Sequence, residues 1–130
     1  MLAKLYERRN ALSNESGFTL IELLVVLIII GVLLAIAVPS YLGFKDRAQA
    51  KASAANVRSA IPDAEAYFSD NNTYVGMNLA ALQAIDSGVS ATIAPSNQTA
   101  TSYCLASSVG THTSHVNGPG GTVTADNGAC

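Results

Sequence analysis

A run of apolar residues near the start of the chain restricts its possible structures more than any other feature. Residues 23–38 include no polar or charged side chain. An α-helix rises about 1.5 Å per residue, so the roughly 21 residues of 18–38 would form a helix on the order of 30 Å long, which matches the hydrocarbon core of a bilayer. The run therefore predicts a membrane-spanning helix.

The charges around this run predict its orientation. Lys4, Arg8 and Arg9 precede it, and after Pro39 the chain is polar and rich in Ala, Ser, Thr, Asn and Gly. Because basic residues favour the cytoplasmic side, we expect the N-terminus inside the cell and the remainder of the chain outside the membrane. The formal net charge of −2 is too small to indicate an ionic partner by itself.

A cleaved secretory signal peptide is a poor interpretation of the same run. Its apolar segment would span only about 7–15 residues and would be closely followed by a small-residue cleavage site. Here residues 40–52 read SYLGFKDRAQAKA instead. An uncleaved, plain membrane anchor stays open as the alternative.

One carboxylate, Glu22, lies at the start of the apolar run, where an ionisable group is costly and usually has a partner. The surrounding stretch, GFTLIELLVVLIIIGVLLAIAVPSY at residues 17–41, resembles the N-terminal processing and assembly motif of type IV pilins and the related pseudopilins. The Gly–Phe junction, the Glu five positions after the Gly, the long apolar run and the Pro in its second half carry this resemblance.

The resemblance implies a role for each matching residue. Residues 1–17 would be a leader, removed by a prepilin peptidase that cuts after Gly17, and the same enzyme would N-methylate Phe18. Glu22 would accept the Phe18 amine of a neighbouring subunit. Two such charges are costly in lipid when unpaired, so docking would relieve both costs and fix the axial register. A Glu22 that only reaches to the headgroups is the alternative.

Beyond the membrane span, at residues 18–39, we expect the helix to continue as an amphipathic segment over residues 40–70. Pro39 predicts a kink because it removes a helical donor, and Pro62 predicts a bend or a restart, with Asp63 and Glu65 suited to a new first turn. The apolar residues of this segment recur at helical spacing. They are Ala50, Ala54, Val57, Ile61, Ala64 and Phe68.

Residues 71–130 predict a small globular head. A short helix is expected within residues 78–86, and residues 89–94, 101–109, 111–116 and 122–125 have the Thr- and Val-rich composition of strands. The sequence PSNQ, Gly110 and the sequence NGPGG supply the turns between them. The predicted fold class is α+β, with a long N-terminal helix packed on a small antiparallel sheet.

Both cysteines, Cys104 and Cys130, fall on the exported side, where an even count favours one disulfide. The chain-entropy model gives this loop of about 25 residues roughly 3.5 kcal/mol of stabilisation. Many type IV pilins fix a C-terminal region in this way, so the resemblance agrees, and free thiols are the alternative. His112 and His115 point to opposite faces of one predicted strand, so we expect no metal site. We also expect no catalytic residue and no cofactor.

The resemblance therefore implies a structural subunit of a type IV pilus, a homopolymer built by assembly machinery with an ATPase and an inner-membrane platform. The subunit would lie in the cytoplasmic membrane before assembly and in the extracellular filament afterwards. The leader is longer than in one large pilin class and contains Glu7 and Glu15, which leaves the subclass open.

Two alternatives are a pseudopilin of a type II secretion system and a minor pilin for adhesion or DNA uptake. Major pseudopilins typically end in an acidic calcium-binding loop, whereas residues 107–130 contain Asp126 as their only acidic residue. No basic residue follows Arg58, so we do not expect this subunit alone to bind nucleic acid.

Overall fold

The computed structural model describes residues 17–130, so the predicted leader, apart from Gly17, lies outside the described residues. The described chain divides into two compact units between Leu42 and Gly43, the second of which is Gly43–Cys130. The described elements are helices α1 (Leu20–Asn71) and α2 (Leu79–Ile85), followed by strands β1 (Ile93–Ser96), β2 (Tyr103–Val109) and β3 (His112–Gly118). The predicted α+β class is confirmed, and the finer division into leader, span, amphipathic segment and head stays a prediction.

Helix α1 is continuous over 52 residues. The predicted restart at Pro62 is wrong, because a proline removes a single helical hydrogen bond and the residues on both sides pack into one core. The helix also continues through Pro39, where the predicted kink stays a prediction. The helix ends where Asn72 takes a left-handed backbone conformation (φ +56°) and its N–H donates to the carbonyl of Phe68 at 2.7 Å.

The described part of the first unit is residues 17–19 followed by the apolar half of α1. Its large apolar side chains are all exposed, with exposed fractions between 46% at Ile30 and 86% at Leu20. By length and composition alone, this helix is able to cross a membrane. A continuous apolar surface of this kind requires a lipid or protein environment rather than water.

The three strands form one antiparallel sheet in the order β1-β2-β3. Strands β2 and β3 make a hairpin in which Val109 pairs with His112. The two-residue turn between them begins with Gly110 at φ +61°, a conformation that favours glycine.

The strand boundaries differ from those predicted. Residues 89–92 form a turn rather than a strand, because the Ser90 carbonyl accepts a hydrogen bond from the Ile93 N–H at 3.1 Å. The strand β1 instead includes Pro95 and Ser96, which were predicted to turn. The predicted strand at residues 122–125 is reduced to a single bridge between Thr124 and His115.

The core of the second unit lies between α1 and the sheet. On α1, Val57, Ala60 and Ala64 are buried at helical spacing. On the strands, Leu105 and Val116 are buried as well. The other buried apolar residues of this cluster are Tyr74, Met77, Leu82, Val89, Ile93 and Tyr103. The predicted apolar face is therefore confirmed at its centre, whereas the predicted members Ala50, Ile61 and Phe68 are only half-buried.

Two carboxylates predicted to start a new helical turn have other positions. Asp63 is buried in the middle of α1, and burial, followed by repulsion from Asp86, raises its pKa. Glu65 accepts hydrogen bonds from the hydroxyls of Tyr74 at 3.0 Å and Tyr103 at 3.2 Å. Burial raises the pKa of both phenols most, and the negative charge of the Glu65 carboxylate raises it further. Both hydroxyls therefore remain neutral donors.

Candidate assembly site

The N-terminus of α1 is closed by a reciprocal pair of hydrogen bonds between Thr19 and Glu22. The Thr19 N–H donates to Glu22 Oε2 at 3.0 Å, and the Glu22 N–H donates to Thr19 Oγ1 at 3.3 Å. This pattern is a capping box, in which two residues three apart satisfy backbone donors that have no helical acceptor. Glu22 therefore has a structural role within its own chain.

The predicted cleavage site lies just before this cap. Gly17 has a left-handed backbone conformation (φ +55°), and neither Gly17 nor Phe18 belongs to α1. Both residues are exposed. The Gly17–Phe18 peptide bond is therefore outside the helical hydrogen-bond pattern.

The geometry leaves part of the Glu22 carboxylate available. Capping uses Oε2, and no described residue donates a hydrogen bond to Oε1. An ionised carboxylate accepts several hydrogen bonds through its two oxygens, and negative charge is favoured at a helix N-terminus. The side chain is thus able to keep its cap and to accept an ammonium group from another chain.

The second predicted pair, Cys104 and Cys130, forms a disulfide with the Cα atoms 5.9 Å apart. The predicted disulfide is confirmed. Cys104 is buried in β2, whereas Cys130 is exposed. The segment between β3 and Cys130 is also held by backbone bonds, because His115 and Thr124 exchange N–H···O bonds of 2.9 and 2.8 Å.

The two histidines of β3 contact different partners. His112 Nε2 donates to Asp46 Oδ1 at 2.7 Å, and His115 Nδ1 donates to the Gly128 carbonyl at 2.9 Å. Asp126 Oδ1 lies 3.5 Å from His115 Nδ1. The imidazoles therefore connect β3 to α1 and to the C-terminal segment. Within residues 17–130, no three His, Cys, Asp or Glu side chains are grouped as metal ligands would be.

Thr19 belongs to this site although it was not predicted from the sequence. A Thr followed three residues later by Glu, directly before an apolar run, is the sequence signature of a capping box. The signal was therefore present in the sequence TLIE.

Comparison with known proteins agrees with this arrangement. Residues 12–38 match the family described as "Prokaryotic N-terminal methylation motif". The chain is 40% identical over 99 residues to the type IV wide pilus major component PilA4 of Thermus thermophilus, covering 71% of this chain and 72% of that protein. It is 38% identical over 61 residues to the type IV major pilin protein PilA of Myxococcus xanthus, covering 47% of this chain and 28% of that protein.

A secretion component is similar over the same length. The type II secretion system core protein G of Pectobacterium carotovorum is 36% identical over 61 residues, which cover 47% of this chain and 39% of that protein. No solved structure matches.

A capped apolar N-terminal helix and a small, disulfide-bonded α+β head define the class of pilin-like proteins. Within that class, the chain belongs to the type IV pilin family, which includes the pseudopilins.

Proposed function

We propose that this protein is a structural subunit of a type IV pilus and that it polymerises with identical copies through its N-terminal helix. The position of Glu22 is the observation that best supports the proposal. Glu22 is the only charged residue within the exposed apolar part of α1 up to Leu42, and it lies at the N-terminus of that helix. A plain membrane anchor gives no reason for a carboxylate at this position.

Processing would create the partner of this carboxylate. Cleavage after Gly17 by a prepilin peptidase leaves a positive amine at Phe18, which the same enzyme then N-methylates. In a single subunit this amine and Glu22 are both poorly solvated by lipid. A neighbouring subunit brings its Phe18 amine to the Oε1 side of Glu22, which relieves both costs and sets the register of the two helices.

The remaining parts of the proposal concern the membrane and the machinery. The subunit spans the cytoplasmic membrane once with its N-terminus inside before assembly, and an ATPase-driven machine with an inner-membrane platform adds it to the extracellular filament. The role is structural rather than enzymatic. The exposed apolar side chains of residues 18–42 suit lipid first and neighbouring helices afterwards.

The pseudopilin alternative uses the same helix, and the similarity to core protein G fits it. Two observations favour the pilus. The match to PilA4 covers 71% of the chain and so includes part of the head, and the C-terminal segment after β3 contains a single carboxylate side chain, Asp126. One such side chain is too few for the oxygen-rich site that Ca²⁺ requires.

Intact and N-terminal mass spectrometry of material sheared from the cell surface tests the processing. We expect a chain that begins at N-methylated Phe18 and is two hydrogens lighter because of the disulfide. A chain found only in the membrane, with residues 1–17 attached, would instead support the plain anchor.

Three variants separate the charge of Glu22 from its capping role. Glu22→Ala and Glu22→Gln should both be inserted and cleaved but should not form filaments, although Gln keeps an acceptor for the Thr19 N–H. Thr19→Ala should lose about 0.5–2 kcal/mol of helix stability and still assemble, because the carboxylate is retained. Normal filaments from Glu22→Gln would refute the charge pairing.

A further inference from the structure

A groove in the second unit lies between α1 and the C-terminal segment. It has a volume of about 480 Å³. Its lining residues are Ala50, Lys51, Ala54, Ala55, Arg58 and Ala125. Four of the lining residues are alanines, and the two cations, Lys51 and Arg58, are both exposed and two helical turns apart.

Lys51 and Arg58 have no acidic partner among the described residues. The ion pairs of residues 17–130 involve only His112 with Asp46 and His115 with Asp126. Lys51 and Arg58 therefore present positive charge over an apolar surface, which is a binding surface for a segment with one apolar and one acidic side chain.

The same chain carries such a segment at the end of α2. Ile85 is 40% exposed although it is a large apolar residue, and Asp86, the next residue, is also exposed. Asp86 Oδ1 accepts a hydrogen bond from the Gly88 N–H at 2.8 Å, and no described residue donates to its Oδ2. One carboxylate oxygen of this turn is thus available to a second chain.

The groove and the turn formed by Ile85 and Asp86 lie at different positions along the length of α1. Asp86 is close enough to Asp63 to raise its pKa by charge repulsion, and Asp63 lies nine positions beyond Ala54, or about 13 Å along α1. The basic side chains of this unit all lie within residues 45–58. Its carboxylate side chains lie within residues 63–86, except Asp46 and Asp126, which contact the histidines.

We propose that the turn formed by Ile85 and Asp86 of a second copy of this chain docks into this groove. Ile85 packs on the alanines that line the groove, and Asp86 pairs with Arg58 and Lys51. The contact joins two different surfaces of identical chains, and a repeated contact of this type builds a helical filament rather than a closed dimer. It rests on the proposed polymerisation and adds a head contact to the pairing at Glu22.

A charge exchange in the full-length protein tests this contact. Arg58→Glu and Asp86→Lys should each lower the amount of sheared filament at least about tenfold, because each places like charges together. The double variant should restore part of the filaments, because the exchanged charges pair in the opposite direction while Lys51 keeps its positive charge. Arg47→Glu, which reverses an exposed cation of α1 outside the groove, is the matched control and should assemble normally.

Asp86→Asn tests whether the charge or the turn is needed. Asparagine keeps an oxygen that can accept from the Gly88 N–H but removes the negative charge, so we expect fewer filaments. The melting temperature of the head should not fall, because the Asp86 charge repels Asp63. Each variant is compared at equal levels of total, disulfide-bonded and processed chain. Filaments missing from the wild type as well would contradict the proposed function itself and not only this contact.

Three results would overturn the proposal. The first is normal filaments from both single variants. The second is a double variant that is folded and processed but forms no more filaments than the single variants. The third is a loss with Arg58→Glu alone while Asp86→Lys assembles normally. That result would assign the groove to an anion that this chain does not supply.

Discussion

His112 and Asp46 join the last strand of the sheet to the start of the second unit, with Nε2 and Oδ1 2.7 Å apart. The imidazole is largely covered, at 19% side-chain exposure, whereas the carboxylate is 62% exposed. The bond is therefore short but screened by water on its acidic side, and exposed pairs of this kind contribute little to stability.

We expect Asp46→Ala to lower the free energy of unfolding by less than about 1 kcal/mol, because solvent screens the carboxylate. Chemical unfolding of the full-length protein in detergent measures the change. A double-mutant cycle with His112→Ala separates the pair from the rest of the imidazole's contacts. A coupling energy well above this range would show that the pair is a main contact of the head.

Gly118→Ala should lower stability by at least about 2 kcal/mol, because the ring of Tyr103 occupies the space that a Cβ would need. Gly43→Ala is the matched control. Gly43 lies in α1, and a Cβ at this position would meet no atom within 4 Å, so alanine there should stabilise the helix by about 0.5–1 kcal/mol. Equal effects of the two substitutions on the melting temperature would contradict the close packing of Tyr103.

Asp63 predicts a pH dependence whose sign follows from its raised pKa. The folded chain keeps the Asp63 proton to a higher pH than the unfolded chain, whose pKa is near the ordinary value of 3.8. The contribution of this group to stability is therefore greatest at low pH and falls as pH rises from about 3.8 through the folded-state pKa.

Asp63→Asn should consequently raise the melting temperature at neutral pH and have progressively less effect as the pH falls toward 3.8. Asp70→Asn, which removes an exposed carboxylate from the same helix, is the control for the loss of one charge. An Asp63→Asn variant that is less stable than the wild type at neutral pH would show that the carboxylate has a favourable partner.

Cys130→Ala should destabilise the head by about 3.5 kcal/mol under oxidising conditions, given a sequence separation of 26 residues. This cysteine is the better one to change because it is exposed, so the substitution removes the bond without opening a cavity at buried Cys104. With reductant, the wild type and the variant should melt together. A difference that persists in reductant would indicate a role for the Cys130 side chain beyond the bond.

The sequence predicted the features that depend on pattern alone. Three of these features lie in α1 as predicted. They are the apolar run, the helical spacing around Val57 and Ala64, and the isolated carboxylate at Glu22. The predicted exported location and the even cysteine count favoured the disulfide, and its pairing followed because two cysteines allow only one intramolecular bond.

The sequence did not predict features that depend on contacts between distant residues. From the local sequence, Pro62 predicted an interruption of the helix. The packing of the residues on both sides instead outweighs the one lost hydrogen bond. Glu65 read as a helix-start residue, and only the fold brings Tyr103, 38 positions away, to its carboxylate. The edges of β1 were misplaced for a similar reason, because pairing with β2 extends the strand through Pro95.

The two edges of the sheet affect how heads behave when many of them lie side by side. Strand β1 has four residues and includes Pro95, which has no N–H to offer, and the outer side of β3 is bonded to Thr124 and Asn127 of the same chain. Open edges on domains held side by side would pair with each other and produce aggregates with no fixed order. Because both edges are blunted, two heads are poorly suited to joining their sheets through backbone bonds, and an ordered contact between them would have to use side chains that have a defined partner.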